Sequence, residues 1–261
     1  MGKQTYVLKQ GGGVKDAIIL YMEKLKSAAK ELGLELTPAQ LEQFNSYYHE
    51  LLDWNQRVNL TAITDYGEVQ IKHFLDSLTV ALARPPSAIK REFRLIDVGT
   101  GAGMPGIPLK IVFPALKLVL LEATAKKADF LRHITQKLGL ENVEIVVGRA
   151  EEVAHQAQYR ERFDLVLSRA VASLPTLVEL TLPFCVVGGS FIAQKKRNID
   201  EEISRAARAI KLLGGNLREV KKVDLAEFAD ERYLVVIDKL SPTPEQYPRR
   251  PGLPAKRPIM S

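Results

Sequence analysis

The segment Leu95-Ile96-Asp97-Val98-Gly99-Thr100-Gly101-Ala102-Gly103-Met104-Pro105-Gly106 constrains the fold more than any other part of the chain. An apolar run reaches a carboxylate, turns through glycines and enters a helix with Pro105 near its first turn. Glycine tolerates positive φ and lets a backbone approach a ligand closely. Strand, tight loop and helix in that order make half of a βα unit, and the alternation recurs downstream. Strand candidates are 94–98, 117–122, 143–147, 163–168, 190–194, 217–223 and 233–238, most of them separated by helical stretches such as 125–138, 174–182 and 200–213. This rhythm predicts an α/β fold, a largely parallel sheet with helices on both faces.

Upstream the pattern is helical. Residues 16–21 begin an amphipathic helix that Gly33 ends, and Thr37-Pro38 reads as an N-cap with proline at the first helical position. Leu41, Phe44, Tyr48, Leu51 and Leu52 then recur at helical spacing. Asn59-Leu60-Thr61-Ala62-Ile63 breaks the rhythm, and one further helix carries Val69, His73, Phe74, Ser77 and Leu78 before Pro85-Pro86. The layout expected is a flexible leader (1–13), a helical extension (14–86), the α/β domain (87–240) and a Pro-rich basic tail (241–261). That tail reads either as a disordered or extended segment or as a functional arm.

In an open α/β sheet, ligands bind beyond the carboxyl ends of the strands. Chemically notable residues stand at those ends one strand after another: Asp97 and Gly99, then Glu122, Arg149-Ala150-Glu151, Ser168-Arg169 and Lys195-Lys196. Glu122 lies 23 residues after Gly99, close to the ~20-residue offset at which an acidic side chain meets ribose hydroxyls. Alone it would read equally as a solvated glutamate.

The glycines admit two registers. Gly101-x-Gly103-x-x-Gly106 formally satisfies a dinucleotide fingerprint, but it starts late, because Gly99 already ends the strand. Asp97-x-Gly99-x-Gly101-x-Gly103 fits better and is typical of S-adenosylmethionine enzymes. That cofactor carries a sulfonium and an ammonium, whereas a pyrophosphate would be disfavoured facing Asp97 and Glu122. Asp97, Gly99, Gly101, Gly103 and Glu122 are therefore cofactor-binding candidates.

The chain resembles the bacterial 16S rRNA guanine-N7 methyltransferases of the glucose-inhibited division protein B family. The likeness runs from about Leu41 to Ile259. It is carried by Trp54-Asn55 with 59–63, by Lys72-His73-Phe74-Leu75-Asp76-Ser77-Leu78, by the glycine loop through Pro108, and by Leu121-Glu122 with Lys126-Lys127. Arg149-Ala150-Glu151, Ser168-Arg169-Ala170 and Tyr247-Pro248-Arg249-Arg250-Pro251-Gly252 complete it. The resemblance implies a Rossmann-like class I S-adenosylmethionine-dependent methyltransferase with a mostly parallel seven-stranded sheet. It adds Met104, Ala150, Glu151 and Arg169 to the cofactor-contacting positions. The family usually has phenylalanine at Met104, and often serine at Ala123 and glycine at Lys196.

The implied reaction methylates N7 of a guanine, guanine(527) of 16S rRNA in the family. N7 offers an in-plane lone pair and no proton, so attack on the sulfonium methyl requires no general base. Arg169 is the one catalytic candidate, favoured for a role at the cofactor–RNA junction over simple pairing with a nearby carboxylate. His73 and Asp76, three apart, read as an ordinary helix-face pair. Neither the Asn-Pro-Pro-Tyr segment of exocyclic-amine enzymes nor a Pro-Cys nucleophile is present, and Cys185 reads as a buried core residue.

Thirty-seven Lys plus Arg against 31 acidic residues fit a polyanionic partner, here 16S rRNA or the small ribosomal subunit. Lys195, Lys196, Arg197, Arg249 and Arg250 are the RNA-contact candidates. One cysteine and four histidines leave no disulfide and no metal site to expect. No apolar run has membrane-span length, so cytoplasmic location is expected. Competing functions are a methyltransferase for a small molecule or protein, an RNA-binding factor without catalysis and, last, an NAD-dependent dehydrogenase.

Overall fold

The computed structural model describes residues 22–84, 93–169, 172–196 and 199–260. The leader at 1–13, the helix start at 16–21, Pro85-Pro86 and Arg197 lie outside the described residues.

Seven strands form one sheet: β1 (Arg94–Val98), β2 (Lys117–Glu122), β3 (Val143–Val147), β4 (Phe163–Arg169), β5 (Cys185–Lys195), β6 (Gly215–Val223) and β7 (Arg232–Lys239), ordered β3-β2-β1-β4-β5-β7-β6. β1 to β5 are parallel, while β7 runs antiparallel to both β5 and β6. The chain winds outward from β1 to β3 and then returns to lay β4 on the other side of β1. That reversal opens a crevice at the carboxyl ends of β1 and β4.

Strand periodicity divides the core in two. Leu95, Leu118, Leu120, Leu165, Leu167, Leu234 and Val236 enter one cluster. Their neighbours Ile96, Val119, Leu121, Val166, Val235 and Ile237 enter the other.

The N-terminal helices cover the first face: α1 (Glu23–Glu31), α2 (Pro38–Val58), α3 (Tyr66–Val69) and α4 (Asp76–Leu78). They are joined there by α5 (Gly106–Val112) and α6 (Ala125–Lys137). α2 starts at a capping box. Thr37 Oγ1 accepts from the Gln40 N–H at 3.3 Å, and Gln40 Oε1 accepts from the Thr37 N–H at 2.9 Å. It stops where Asn59 takes φ 45° and Asn55 Oδ1 accepts from the N–H groups of Leu60 (2.7 Å) and Thr61 (2.9 Å).

α2 is bonded directly to the sheet's own helices. Gln40 Nε2 donates to the Ile111 carbonyl (3.0 Å), Gln43 Nε2 donates to that of Leu138 (2.8 Å), and Glu50 pairs with His133 (2.6 Å). Leu25, Phe44, Leu51 and Phe74 share one cluster with Phe130, Ile134 and Leu165. The helical extension and this face of the sheet thus share one continuous cluster, the larger of the two.

The last N-terminal helix departs from the expected regular pattern. α3 continues as a π-helix over Gln70–Leu75, returns to α at α4 and tightens to 3₁₀ over Thr79–Leu82. π segments inside α-helices are found frequently at functional sites. Here the π segment carries Lys72 and His73 and leads into Asp76.

The second face holds α7 (Ala150–Val153), α8 (Leu174–Thr181), α9 (Ile199–Leu212) and the C-terminal segment with α10 (Leu253–Lys256). The segment beyond Ser241 is bonded to the domain rather than loose. Arg160 Nη1 donates to the Tyr247 carbonyl (2.8 Å) and Nη2 to that of Thr243 (3.0 Å), His155 Nε2 donates to that of Pro248 (2.8 Å), and buried Lys239 reaches Thr243. Its prolines forgo N–H donors, and its carbonyls are satisfied by side chains of the domain. No helix among the described residues is long and apolar enough to cross a membrane.

Candidate active site

The glycine loop is closed by its own strand ends. The N–H groups of Gly99 and Thr100 donate to the Leu121 carbonyl at 2.9 and 3.2 Å. Gly103 has φ 90°, and a Cβ there would lie 2.9 Å from the Tyr47 hydroxyl oxygen. Tyr47, reaching over from α2, donates that hydroxyl to the Ala102 carbonyl. Gly106 is needed for proximity instead: a Cβ would meet Leu120 Cδ2 at 2.7 Å and Asp97 Oδ2 at 3.0 Å.

Asp97 lies fully buried at the centre of this loop. Oδ2 accepts from Thr100 Oγ1 (2.6 Å) and from the Gly106 N–H (2.8 Å), whereas Oδ1 has no hydrogen-bond partner. Burial pushes its carboxyl up to about 6 against the opposing pull of those two donors and of Arg169; the Glu122 carboxylate adds a smaller upward push. A buried acceptor without a donor costs free energy. A cationic donor in the loop would remove that cost, which is the chemistry an ammonium-bearing cofactor supplies. A pyrophosphate would aggravate it.

Glu122, at the end of β2, is buried with its oxygens partly engaged. Oε2 accepts from the Gly101 N–H (3.0 Å) and Oε1 from the Thr124 N–H (2.9 Å). A carboxylate has about four lone-pair sites, so both oxygens keep capacity for ribose hydroxyls. Met104 is buried in the core cluster that contains Ala102 and Ile107. Ala150 opens α7, and the neighbouring Glu151 Oε1 accepts from the Gly252 N–H of the C-terminal segment at 2.9 Å.

Beside the loop, over the ends of β4, β5 and β7, lies a cavity of about 780 Å³. Its walls include Arg169, Lys195 and Lys196, together with His73 and Asp76 from the N-terminal helices and Arg232 from β7. Arg169 pairs with a carboxylate and faces the cavity at once. Its Nη1 donates to Asp76 Oδ2 at 3.0 Å, while Arg232 Nε donates to Asp76 Oδ1 at 3.2 Å. Asp76 and His73 do not pair with each other. His73 Nδ1 donates to the Lys72 carbonyl (3.2 Å), leaving Nε2 to accept from Thr61 Oγ1 (2.7 Å). Burial and the nearby Arg169 push His73 down to about 4, so the imidazole is neutral at pH 7. Gln194 lies on the same wall, its Nε2 donating to the Asp76 carbonyl and to Thr79 Oγ1, with Oε1 buried and without a partner.

The RNA-contact candidates separate. Lys196 is exposed at the rim, its side chain 60% accessible and 3.9 Å from Asp230. Lys195 is turned inward, to Glu202 at 2.7 Å and the Ala172 carbonyl at 3.0 Å. Arg250 is exposed. Arg249 is the correction. Its Nε and Nη2 grip the two oxygens of fully buried Glu179 at 2.8 and 2.7 Å, and Nη2 also reaches the Arg257 carbonyl at 2.7 Å. Two of its three guanidinium nitrogens are committed within the fold, so Arg249 first of all neutralises a core carboxylate. Arg232, Gln194 and Tyr47 were not singled out in the sequence. Arg232 merely opens a late strand, and Tyr47 falls within a helical apolar stripe.

Residues 40–232 match the GidB family, described as rRNA small subunit methyltransferase G. The chain belongs to this family. A ribosomal RNA small subunit methyltransferase G of Dehalococcoides mccartyi (strain CBDB1) is 55% identical over 239 residues, covering 92% of this chain and 100% of that protein. The relative of that name from Brevibacillus brevis is 47% identical, covering 87% of this chain and 94% of the relative. Among solved structures, an O-methyltransferase from Bacillus cereus in complex with SAH matches with a TM-score of 0.53 at 20% identity, over 74% of this chain and 91% of that one. That likeness shows the fold, that of a class I methyltransferase.

Proposed function

We propose that this protein transfers a methyl group from S-adenosylmethionine to N7 of a guanine in 16S rRNA. The observation that carries the reading is the adjacency of two half-sites, a glycine loop around the unpaired Asp97 Oδ1 and the cavity beside it, with Arg169 between them. Arg169 acts electrostatically on Asp97 while lining the cavity. S-adenosylmethionine, when bound, supplies an electrophilic methyl group on a sulfonium. Asp97 and Glu122 would hold its ammonium and ribose ends, and Gly99, Gly101 and Gly103 would let the loop approach it closely.

The acceptor chemistry needs little from the chain beyond placement. Guanine N7 is unprotonated, so no side chain has to remove a proton before attack. The cavity fits that requirement, because its one histidine is neutral and already engaged by Thr61. The catalytic contribution is alignment of N7 with the methyl group and steadying of charge as the base becomes cationic. The three carboxylates of the cavity walls, Asp76, Glu202 and Asp230, are each paired with an arginine or lysine of the same walls. Lys196 and Arg250 are the exposed cations suited to RNA phosphates. The small ribosomal subunit in the cytoplasm is the setting this reading implies.

The test is a map of N7-methylguanosine in rRNA from cells with and without the gene. Loss of one modified guanine on deletion is expected; the same guanine modified in both strains would overturn the proposal.

A further inference from the structure

One residue of the N-terminal helices gathers the ends of three strands. Asp76 receives Arg169 from the end of β4 on Oδ2 at 3.0 Å and Arg232 from the start of β7 on Oδ1 at 3.2 Å. Its backbone carbonyl accepts from Gln194 of β5, which is tied in turn to Thr79 at 3.1 Å. The side chains of Arg169, Asp76 and Arg232 are 14, 8 and 6% accessible, so water screens the group poorly. We propose that Asp76 is a positioning residue for methyl transfer, holding the Arg169 guanidinium at the boundary between the cofactor loop and the acceptor cavity while Arg232 fixes the carboxylate from the opposite side. This rests on the reading of the cavity as the acceptor site.

A buried ion triad is weak support for stability, because apolar residues of similar volume commonly serve as well or better. What it provides here is geometry. An arginine side chain has several rotatable bonds, and a carboxylate oxygen at hydrogen-bond distance removes most of its freedom. Arg232 occupies the second oxygen, so Asp76 cannot swing away to follow Arg169. The carbonyls of Lys72 and His73, in the π segment, face the same Arg169 nitrogen at 3.4 Å. Removing the Asp76 charge would leave two buried guanidiniums without their shared counter-ion. Arg169 would then no longer be held against Asp76 and would leave its place at the boundary between loop and cavity. A displacement of about 1 Å at a reacting centre can cost about 100-fold in rate.

The experiment uses the full chain and unmethylated small-subunit rRNA, with Asp76→Asn, Asp76→Glu, Arg169→Ala and the double variant Asp76→Asn/Arg169→Ala. Asp76→Asn is expected to lower kcat about 100-fold while the KM for S-adenosylmethionine stays within about threefold. The double variant should be no slower than Arg169→Ala, since both act on one element. Asp76→Glu should fall between wild type and Asp76→Asn with a melting temperature close to wild type, and it carries the test if Asp76→Asn does not fold. Arginine Nε–H resonances give a readout without turnover: that of Arg232 should be protected in wild type and lost in Asp76→Asn. Wild-type kcat in Asp76→Asn, additive losses in the double variant, or activity that tracks only the folded fraction would overturn the positioning role. Absence of N7-methylguanosine from the wild-type reaction would instead overturn the functional reading, and the two failures are separable.

Discussion

Asp97 ties stability to pH through one buried carboxyl, and in the proposed site it ties cofactor affinity to pH as well. Its ordinary value of 3.8 is raised to about 6 by burial, and that gap corresponds to about 3 kcal/mol. A raised acid favours the folded state while it is protonated. The contribution is therefore fully present below about pH 4 and is lost as pH rises through about 6. Asp97→Asn keeps the shape and an acceptor for Thr100 and Gly106 but cannot ionise. In the cofactor-free protein at pH 8 it should raise stability by up to about 3 kcal/mol, measured by chemical denaturation. The same change should weaken cofactor binding, because the cationic end loses its counter-charge.

In wild type, lowering the pH from 7 to 5 protonates Asp97 and should raise the Kd for S-adenosylmethionine about tenfold, or about 1.4 kcal/mol. Calorimetric titration at pH 5, 6, 7 and 8 reads this directly, and Asp97→Asn should flatten the profile. A flat wild-type profile between pH 5 and 7, or an Asp97→Asn protein less stable than wild type at pH 8, would refute the argument.

Gly106→Ala would force a Cβ to within 2.7 Å of Leu120 and 3.0 Å of Asp97; overpacking of this kind should cost about 1–3 kcal/mol in a thermal melt and weaken cofactor binding as well. Arg249→Ala strips the partner from fully buried Glu179, so a loss of about 3–5 kcal/mol in urea unfolding is expected, with no change in the salt dependence of RNA binding. A smaller salt slope with intact stability would restore Arg249 to the RNA surface. Arg169→Ala should slow methylation of purified small subunits by about 100-fold or more while leaving the circular dichroism spectrum unchanged, and undiminished turnover would remove Arg169 from the site.

Most of the sheet could be read from the chain, because apolar strands bounded by glycine and proline carry local signals. For β1 to β3 the bounds expected from the sequence and those of the structure coincide. β5 began earlier than expected, at Cys185, since two glycines, Gly188 and Gly189, interrupt its apolar pattern. The loop could be read for a related reason: its glycines answer to sterics within a few residues. The helix after Asp65 was harder. A π segment differs from α by one hydrogen-bond step, and the side chains alone do not reveal it. The ion pair of Arg249 is invisible in the sequence because its partner, Glu179, lies 70 residues away.

Taken alone, the sequence determined the α/β class, the loop register and the acidic residues at the ends of β1 and β2, because each depends on short-range backbone geometry and strand periodicity. The tertiary structure alone decided which charges meet. Asp76, Arg169 and Arg232 come from a helix and two strands far apart in the chain, and their pairing follows from long-range packing, to which local patterning is blind. It likewise decided that Asp97 is buried with one oxygen unpaired, which depends on how much of the fold closes over the loop.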